Sequence, residues 1–383
     1  MGALSGKTEK RVLFVASVLK KHIIQFHIPY LQWFREQGFI VDVCAANDLE
    51  DNENIPLDFC DNYYDVPFCR SPFHLKNFIA FHKLKGIISE NNYDIIHCHT
   101  PTAAAIARIA AADARKKGCR LLYTAHGFHF FKGASPVSRL YYFIEKMLSG
   151  MTDAIITINS EDFEASKRLC GGKCDTYLLH GVGVDTKKIA EITDEKSEIR
   201  RRLNIPENAF TVMTTAELNR NKNIFTALKA ISLCETENLR YIICGSGELR
   251  KECEKYAEKL GIGEITHFLG YRYDVPTLLH AADVFLFPSY REGLGIAAIE
   301  AMSAGVPVVG SNIRGITEYA ANGVNSILMN PSDAAGFANA IDRLAADSEL
   351  LKRLGAAAQS SVDKFDISNS VSTMAEIYGK YMR

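Results

Sequence analysis

Short apolar runs alternate with longer amphipathic ones along most of the chain, the pattern of strands feeding helices. Arg11–Ser17 (RVLFVAS), Phe39–Ala45, 93–98, 119–125, 153–158 and 175–179 have strand length and little polar interruption. Between them, segments near 22–37, 76–90, 101–117, 136–149 and 160–170 read as helices. The rhythm resumes with strands at Phe210–Ala216, Leu239–Cys244, Glu264–Leu269 and Val284–Phe287. Helices are predicted over 248–260, 296–304, 333–346 and 348–364, and a last one near 367–381 sets Val371, Met374, Ile377, Tyr378 and Tyr381 at helical spacing. Strands alternating with helices form parallel sheets. The polar stretch 186–200 (TKKIAEITDEKSEIR) interrupts the alternation. With 383 residues, long for one core, this predicts an α/β protein of two doubly wound domains, 1–186 and 187–364, followed by a helix over 365–383.

Composition narrows the functional classes. Apolar residues make up 47% and charged residues 23%, as in an ordinary soluble globular protein. A net charge of −1 gives no global attraction to nucleic acid, so no nucleic-acid partner is expected. Ten cysteines without a C-x-x-C pair favour a reduced, cytoplasmic compartment over a disulfide framework. The opening MGALSGKTEK lacks the apolar core of a signal peptide, and no apolar run reaches the roughly 18 residues of a spanning helix. Locally the balance differs. Residues 66–150 hold twelve Lys/Arg against four Asp/Glu, interleaved with Phe73, Phe78, Phe81, Phe130, Phe131, Tyr141, Tyr142 and Phe143. A basic, aromatic face suits a peripheral contact with anionic lipid at the inner face of the plasma membrane. The alternative is that the aromatics are core and the lysines solvated. His97-Cys98-His99 resembles a metal cluster, but alternation along a strand sends successive side chains to opposite faces.

The most informative stretch is Asp283–Gly310, DVFLFPSYREGLGIAAIEAMSAGVPVVG. A strand, a glycine loop, a helix and a further strand make a βαβ unit that presents helix-terminal amides to a phosphate. Gly293 and Gly295 let the backbone approach an anion, and the N–H groups of Leu294, Gly295 and Ile296 are placed to cap a diphosphate. Glu292 and Glu300 bracket the loop with seven residues between them. Carboxylates suit sugar and ribose hydroxyls, which are hydrogen-bond donors.

This E-x7-E string resembles the retaining nucleotide-sugar glycosyltransferases of family 4, GT-B fold, of the bacterial polysaccharide-biosynthesis type. The resemblance extends to D-I-I-H-C-H at 94–99, T-A-H-G at 124–127, G-V-G-V-D at 181–185 and the Lys222-Asn223 pair. It implies two Rossmann-like domains facing a cleft, the donor on the second and the acceptor on the first. It implies that His126 faces the donor sugar, Glu292 holds that sugar, Lys222 grips the diphosphate and Glu300 takes the ribose. Arg220, Asn223, Arg272 and Gly245 are further candidates for the nucleotide. Two departures stand out. Glu217 occupies the usual arginine position, and the Gly-Gly turn after the first strand is replaced by Val18-Leu19-Lys20-Lys21-His22. His22 and His27, beside that loop, are candidates for acceptor contact, and His129 is a further histidine to place.

The expected reaction is metal-independent transfer of a hexose or N-acetylhexosamine from a nucleotide-diphosphate sugar, a UDP-sugar by expectation, to a saccharide or a polyprenyl-diphosphate-linked saccharide. No D-x-D stands at a strand end to hold a divalent ion, and no cofactor is expected. Two other readings remain open: a UDP-sugar epimerase on the same fold, and an inactive nucleotide-binding partner subunit.

Overall fold

The computed structural model describes residues 9–49, 58–130 and 138–382. The chain divides into two compact units, Met1–Gly183 with Ser368–Arg383, and Val184–Ile367. Phe131 and Lys132 of the basic stretch, the first two residues of the helix expected from 136, and most of the opening tail lie outside the described residues.

The first unit holds a seven-stranded parallel sheet. Its strands are β1 (Arg11–Val18), β2 (Ile40–Ala46), β3 (Asn62–Asp65), β4 (Ile95–His99), β5 (Arg120–Ala125), β6 (Ala154–Thr157) and β7 (Asp175–Leu178). They lie in the order β3-β2-β1-β4-β5-β6-β7. The second unit holds β8 (Phe210–Thr215), β9 (Leu239–Cys244), β10 (Thr266–Gly270), β11 (Val284–Phe287), β12 (Val308–Ser311) and β13 (Ser326–Met329), in the order β10-β9-β8-β11-β12-β13. These are two doubly wound Rossmann-like sheets, the α/β class expected from the alternation. In each, the order reverses beside the first strand, between β1 and β4 and between β8 and β11. Ligands of such sheets bind beyond the strand C-termini at that reversal.

Central strands are apolar because helices cover both faces. On one side of the first sheet, Leu13, Val15, Ile96, Cys98, Leu121 and Tyr123 pack under the helices Lys76–Glu90 and Pro101–Ala110. On the other, Val12, Phe14, Ile95 and Leu122 meet Leu31 and Phe34, together with Met374, Ile377 and Tyr378 of the last helix, Ile367–Tyr381. That helix is part of the first unit's core. Tyr378 Oη shares a 2.7 Å hydrogen bond with His97 Nδ1, while His97 Nε2 meets Thr124 Oγ1 at 2.8 Å. His97 is therefore a satisfied core histidine.

Several local expectations change. The segment expected as one helix over 22–37 is a π-helical turn, Leu19–Ile24, followed by the helix Ile28–Glu36. The 101–117 helix is broken at Ala111. Polar edge strand β3 has no apolar run to announce it. Cys170 and Cys174 form a disulfide across a four-residue step at the end of the helix Ser160–Cys170; the other eight cysteines form no disulfide. The sequence, read as favouring a reduced compartment over a disulfide framework, gives no sign of this one local bridge.

The basic stretch is partly neutralised. Arg108 is fully buried and held by Glu145 through two hydrogen bonds of 2.7 and 3.1 Å, its guanidinium 4.3 Å from the Tyr123 ring centre. Arg115 and Arg120 pair with Asp153, and Lys85 and Lys116 with Asp113. Phe81, Phe130 and Tyr142 pack against the core. Phe73, Phe78 and Phe143 remain exposed, joined by Leu75, Ile79, Leu140 and Met147.

Removing one partner of a buried ion pair leaves an uncompensated charge. Glu145→Ala is therefore expected to destabilise the protein by about 3–5 kcal/mol in urea unfolding. An effect no larger than that of an exposed helix substitution would contradict the buried pairing.

Candidate active site

The second unit's site is built at its sheet reversal. Beyond β8, Asn219 folds the chain into a tight turn, its Oδ1 accepting from the N–H groups of Asn221 (3.0 Å) and Lys222 (3.2 Å). The next residue, Asn223, is left-handed (φ 56°) and buried. Asparagine tolerates that conformation because its short amide bonds locally. Here Nδ2 donates to the carbonyls of Pro288 (2.9 Å) and Pro331 (2.7 Å), and Oδ1 accepts from Thr226. Expected at the nucleotide, the Asn223 side chain is instead committed to bracing three loops. Asn221 adds a second tie, donating to the Arg291 carbonyl at 2.7 Å while its own carbonyl accepts from Tyr290 N–H at 2.9 Å.

These ties set Lys222 against Glu292. Its Nζ lies 2.7 Å from Glu292 Oε1 and 5.4 Å from the centre of the Phe287 ring. Glu292 is 8% exposed, so the pair is largely withdrawn from water. The helix Ile296–Ser303 begins immediately beyond, with no side chain capping its first turn and no acidic residue in it. Its amide dipoles therefore stay available to an anion. Gly295 makes that entry possible. At φ 83°, an added Cβ would stand 2.8 Å from both the Phe287 ring and the Tyr319 hydroxyl. Tyr319 Oη donates to the Gly295 carbonyl at 3.1 Å and fixes the loop.

Glu300 is half-buried, and withdrawal from water pushes its carboxyl up to about 7. Leu294 turns its side chain into the core, which leaves only its backbone for a ligand; Gly293 and Ile296 are half-buried. Gly245 is required by packing, since a Cβ there would sit 1.8 Å from the Ala216 carbonyl oxygen. Arg220 is exposed on the turn. Arg272 is exposed and held by Asp274 at 2.6 and 2.8 Å, so a base contact would compete with that pair. Glu217 is exposed and accepts from Asn219 at 3.0 Å.

In the first unit, His126 follows β5 and is half-buried, its pKa lowered to about 4 by burial. Its Nε2 lies 3.4 Å from His99 Nδ1, and the His22 and His27 rings pack beside it. His129 stands apart, its ring against Tyr141. Sequence reasoning missed Asn219 and Tyr319. An asparagine opening a turn is a readable signal; nothing in the sequence announces the Tyr319 contact.

Residues 11–159 match the family model described as Glycosyl transferase 4-like, and 195–361 the one described as Glycosyl transferases group 1. Putative glycosyltransferase EpsD of Bacillus subtilis is 38% identical over 97% of both chains. The chain belongs to the family 4 glycosyltransferases. A UDP-Gal:alpha-D-GlcNAc-diphosphoundecaprenol alpha-1,3-galactosyltransferase of Escherichia coli is 28% identical over 82% of this chain and 83% of its own. Among solved structures, HepE of Anabaena in complex with UDP and glucose superposes with a TM-score of 0.80 at 22% identity, over 97% of this glycosyltransferase and 100% of that chain. Sucrose-phosphate synthase of Thermosynechococcus elongatus gives 0.81 at 20% identity, over 97% and 99%. Both share the GT-B fold.

A carboxyl whose pKa is raised on folding costs stability once it ionises, so the penalty of Glu300 builds between about pH 4.5 and 7. Glu300→Gln is expected to raise the melting temperature at pH 8 and leave it nearly unchanged at pH 4.5. An equal shift at both values would rule out the raised carboxyl.

Proposed function

We propose that this glycosyltransferase moves a hexose or N-acetylhexosamine from a UDP-sugar to a saccharide or polyprenyl-diphosphate-linked saccharide, with retention, in surface polysaccharide synthesis. The observation that carries the reading is the Lys222–Glu292 pair at the open end of the 296–303 helix. A donor diphosphate draws the Lys222 ammonium from Glu292 and meets the helix amides. The freed carboxylate then accepts from hydroxyls of the sugar. Glu300, ionised above about pH 7, accepts from ribose. The acceptor oxygen bonds to the anomeric carbon on the face from which the diphosphate leaves, and a phosphate oxygen takes the acceptor proton. Lys222 and the helix dipole carry the departing charge, which makes a divalent ion unnecessary for that step. The donor base and the lipid-linked acceptor are supported by what the Anabaena and Escherichia coli proteins are named for.

The same reading extends to the membrane. Phe73, Leu75, Phe78 and Ile79 are 57–86% exposed at the start of the helix Lys76–Glu90, and Leu140, Phe143 and Met147 are 51–65% exposed on the helix Ser138–Ser149. Lys76, Arg139 and Lys146, also exposed, share these segments. Apolar side chains beside cations suit insertion at an anionic headgroup layer. No helix among the described residues is long and apolar enough to cross a membrane.

Three measurements follow. In a thermal-shift panel of UDP-, GDP- and ADP-sugars, UDP-sugars are expected to raise the melting temperature most; a preference for GDP or ADP would refute the donor assignment. Lys222→Ala and Glu292→Ala are each expected to abolish turnover, with wild-type turnover persisting in chelator, while Glu300→Ala mainly weakens nucleotide binding. Wild-type activity in Lys222→Ala would reject its role, and an isomerised sugar nucleotide formed from donor alone would favour an epimerase. Phe73→Ser/Phe78→Ser is expected to reduce cosedimentation with anionic but not zwitterionic vesicles; unchanged sedimentation would dismiss the membrane face.

A further inference from the structure

The reversal of the first sheet carries a different chemistry from that of the second. Four imidazoles meet there, from four separate segments. His22 lies in the π-helical turn after β1, and His27 immediately precedes the helix Ile28–Glu36. His99 ends β4, and His126 follows β5. One ring nitrogen of each lies within 4.8 Å of the others. Three are deeply buried, with His22 8%, His27 1% and His99 1% exposed, and His126 is half-buried.

Buried polar atoms in folded proteins are almost always paired. Among the described residues, His22 Nε2, both nitrogens of His27 and His99 Nε2 have no hydrogen-bond partner. The contrast with His97 is instructive. On the same strand as His99 and equally buried, His97 has both ring nitrogens satisfied by Tyr378 and Thr124. The fold thus provides for one core imidazole and leaves four neighbours converging on each other. Local strain marks the same place. Thr100, next to His99, is β-branched yet held at φ 61°, its hydroxyl fixed by Ser17 N–H at 3.0 Å and Ser17 Oγ at 2.7 Å. Such backbone outliers concentrate at functional sites.

We propose that His22, His27, His99 and His126 form a binding site for a late first-row divalent cation of the zinc and nickel class. Imidazole-only donors select these ions over magnesium and calcium, which prefer oxygen. Tetrahedral zinc with Zn–N bonds of about 2.0–2.1 Å places its nitrogens about 3.3–3.4 Å apart. His99 Nδ1 and His126 Nε2 already stand 3.4 Å apart. The remaining nitrogens reach that spacing by ring rotation, which requires the stacked His27 and His99 rings, 3.8 Å between centres, to splay. Burial keeps all four rings neutral, the form that offers a lone pair. Arg70 is a charged group that acts on His22, and among the described residues the converging donors are histidines alone.

The test is calorimetric titration of the full chain, without an affinity tag and freed of metal, with zinc, nickel and magnesium chlorides. One zinc or nickel ion per chain is expected, and no magnesium. His22→Gln and His27→Gln should each weaken zinc binding by at least about tenfold, whereas His74→Gln and His82→Gln, at exposed positions, should not. Matching circular dichroism of each variant in chelator guards against misfolding as the cause. Cobalt(II) supplies an independent readout: the intense visible bands of four-coordinate cobalt support the cluster, and the weak bands of the six-coordinate hydrated ion overturn it. Absence of zinc binding to the wild type, or undiminished binding in both His22 and His27 variants, also overturns it. Because binding is read without turnover, its failure leaves the transfer reading intact.

Discussion

Three consecutive side chains, Asn221, Lys222 and Asn223, tie the loop after β8 to the loop after β11. Asn223 and Asn221 do this with neutral hydrogen bonds to backbone carbonyls, which hold in the absence of ligand. Lys222 does it with a charge, and that bond is the exchangeable one. A lysine with no counter-ion in so enclosed a place would suffer desolvation without return. Glu292 supplies the counter-charge, a place the donor diphosphate takes in the proposed reaction. The carboxylate thereby keeps the ammonium from collapsing elsewhere, and the uncapped helix beside it offers dipoles that need no reorganisation when an anion arrives. The placing of this charged pair depends on the hydrogen bonds of two neutral asparagines.

The two sheets solve the same topological problem with opposite electrostatics. At the reversal of the second, a charged pair faces a helix start. At the reversal of the first, neutral imidazoles converge beside a strained threonine. Parallel strands that diverge from a common seam open a crevice in both cases. What fills it is decided by loop residues alone, which is how one architecture carries distinct recognition at its two halves.

Much of the fold was legible because the central strands are buried on both faces. Runs such as Leu239–Cys244 need no alternation to declare themselves. Edge strand β3 (NYYD) is polar and was invisible for the same reason. The glutamates at 292 and 300 could be read from spacing within one βαβ unit. Their partners were harder. Lys222 is seventy positions from Glu292, and only the adjacency of β8 and β11 joins them. Asn223 was identifiable as important but not as a brace, because sequence does not reveal that its amide is consumed by Pro288 and Pro331. Each histidine of the cluster was visible singly. Their meeting follows from strand order, which the pattern of apolar residues leaves unspecified.

The place of the last helix has a consequence for how the protein is made. Tyr378, Met374 and Ile377 complete the core around Phe14, Phe34 and Leu122, and Tyr378 satisfies His97. In chain order these residues follow the whole of the second unit. The second unit is contiguous in sequence, whereas the first covers one face of its sheet only with residues made after the second. Truncation of the final helix is thus a lesion of the amino-terminal core, an injury at one end of the chain felt by the strands that open it.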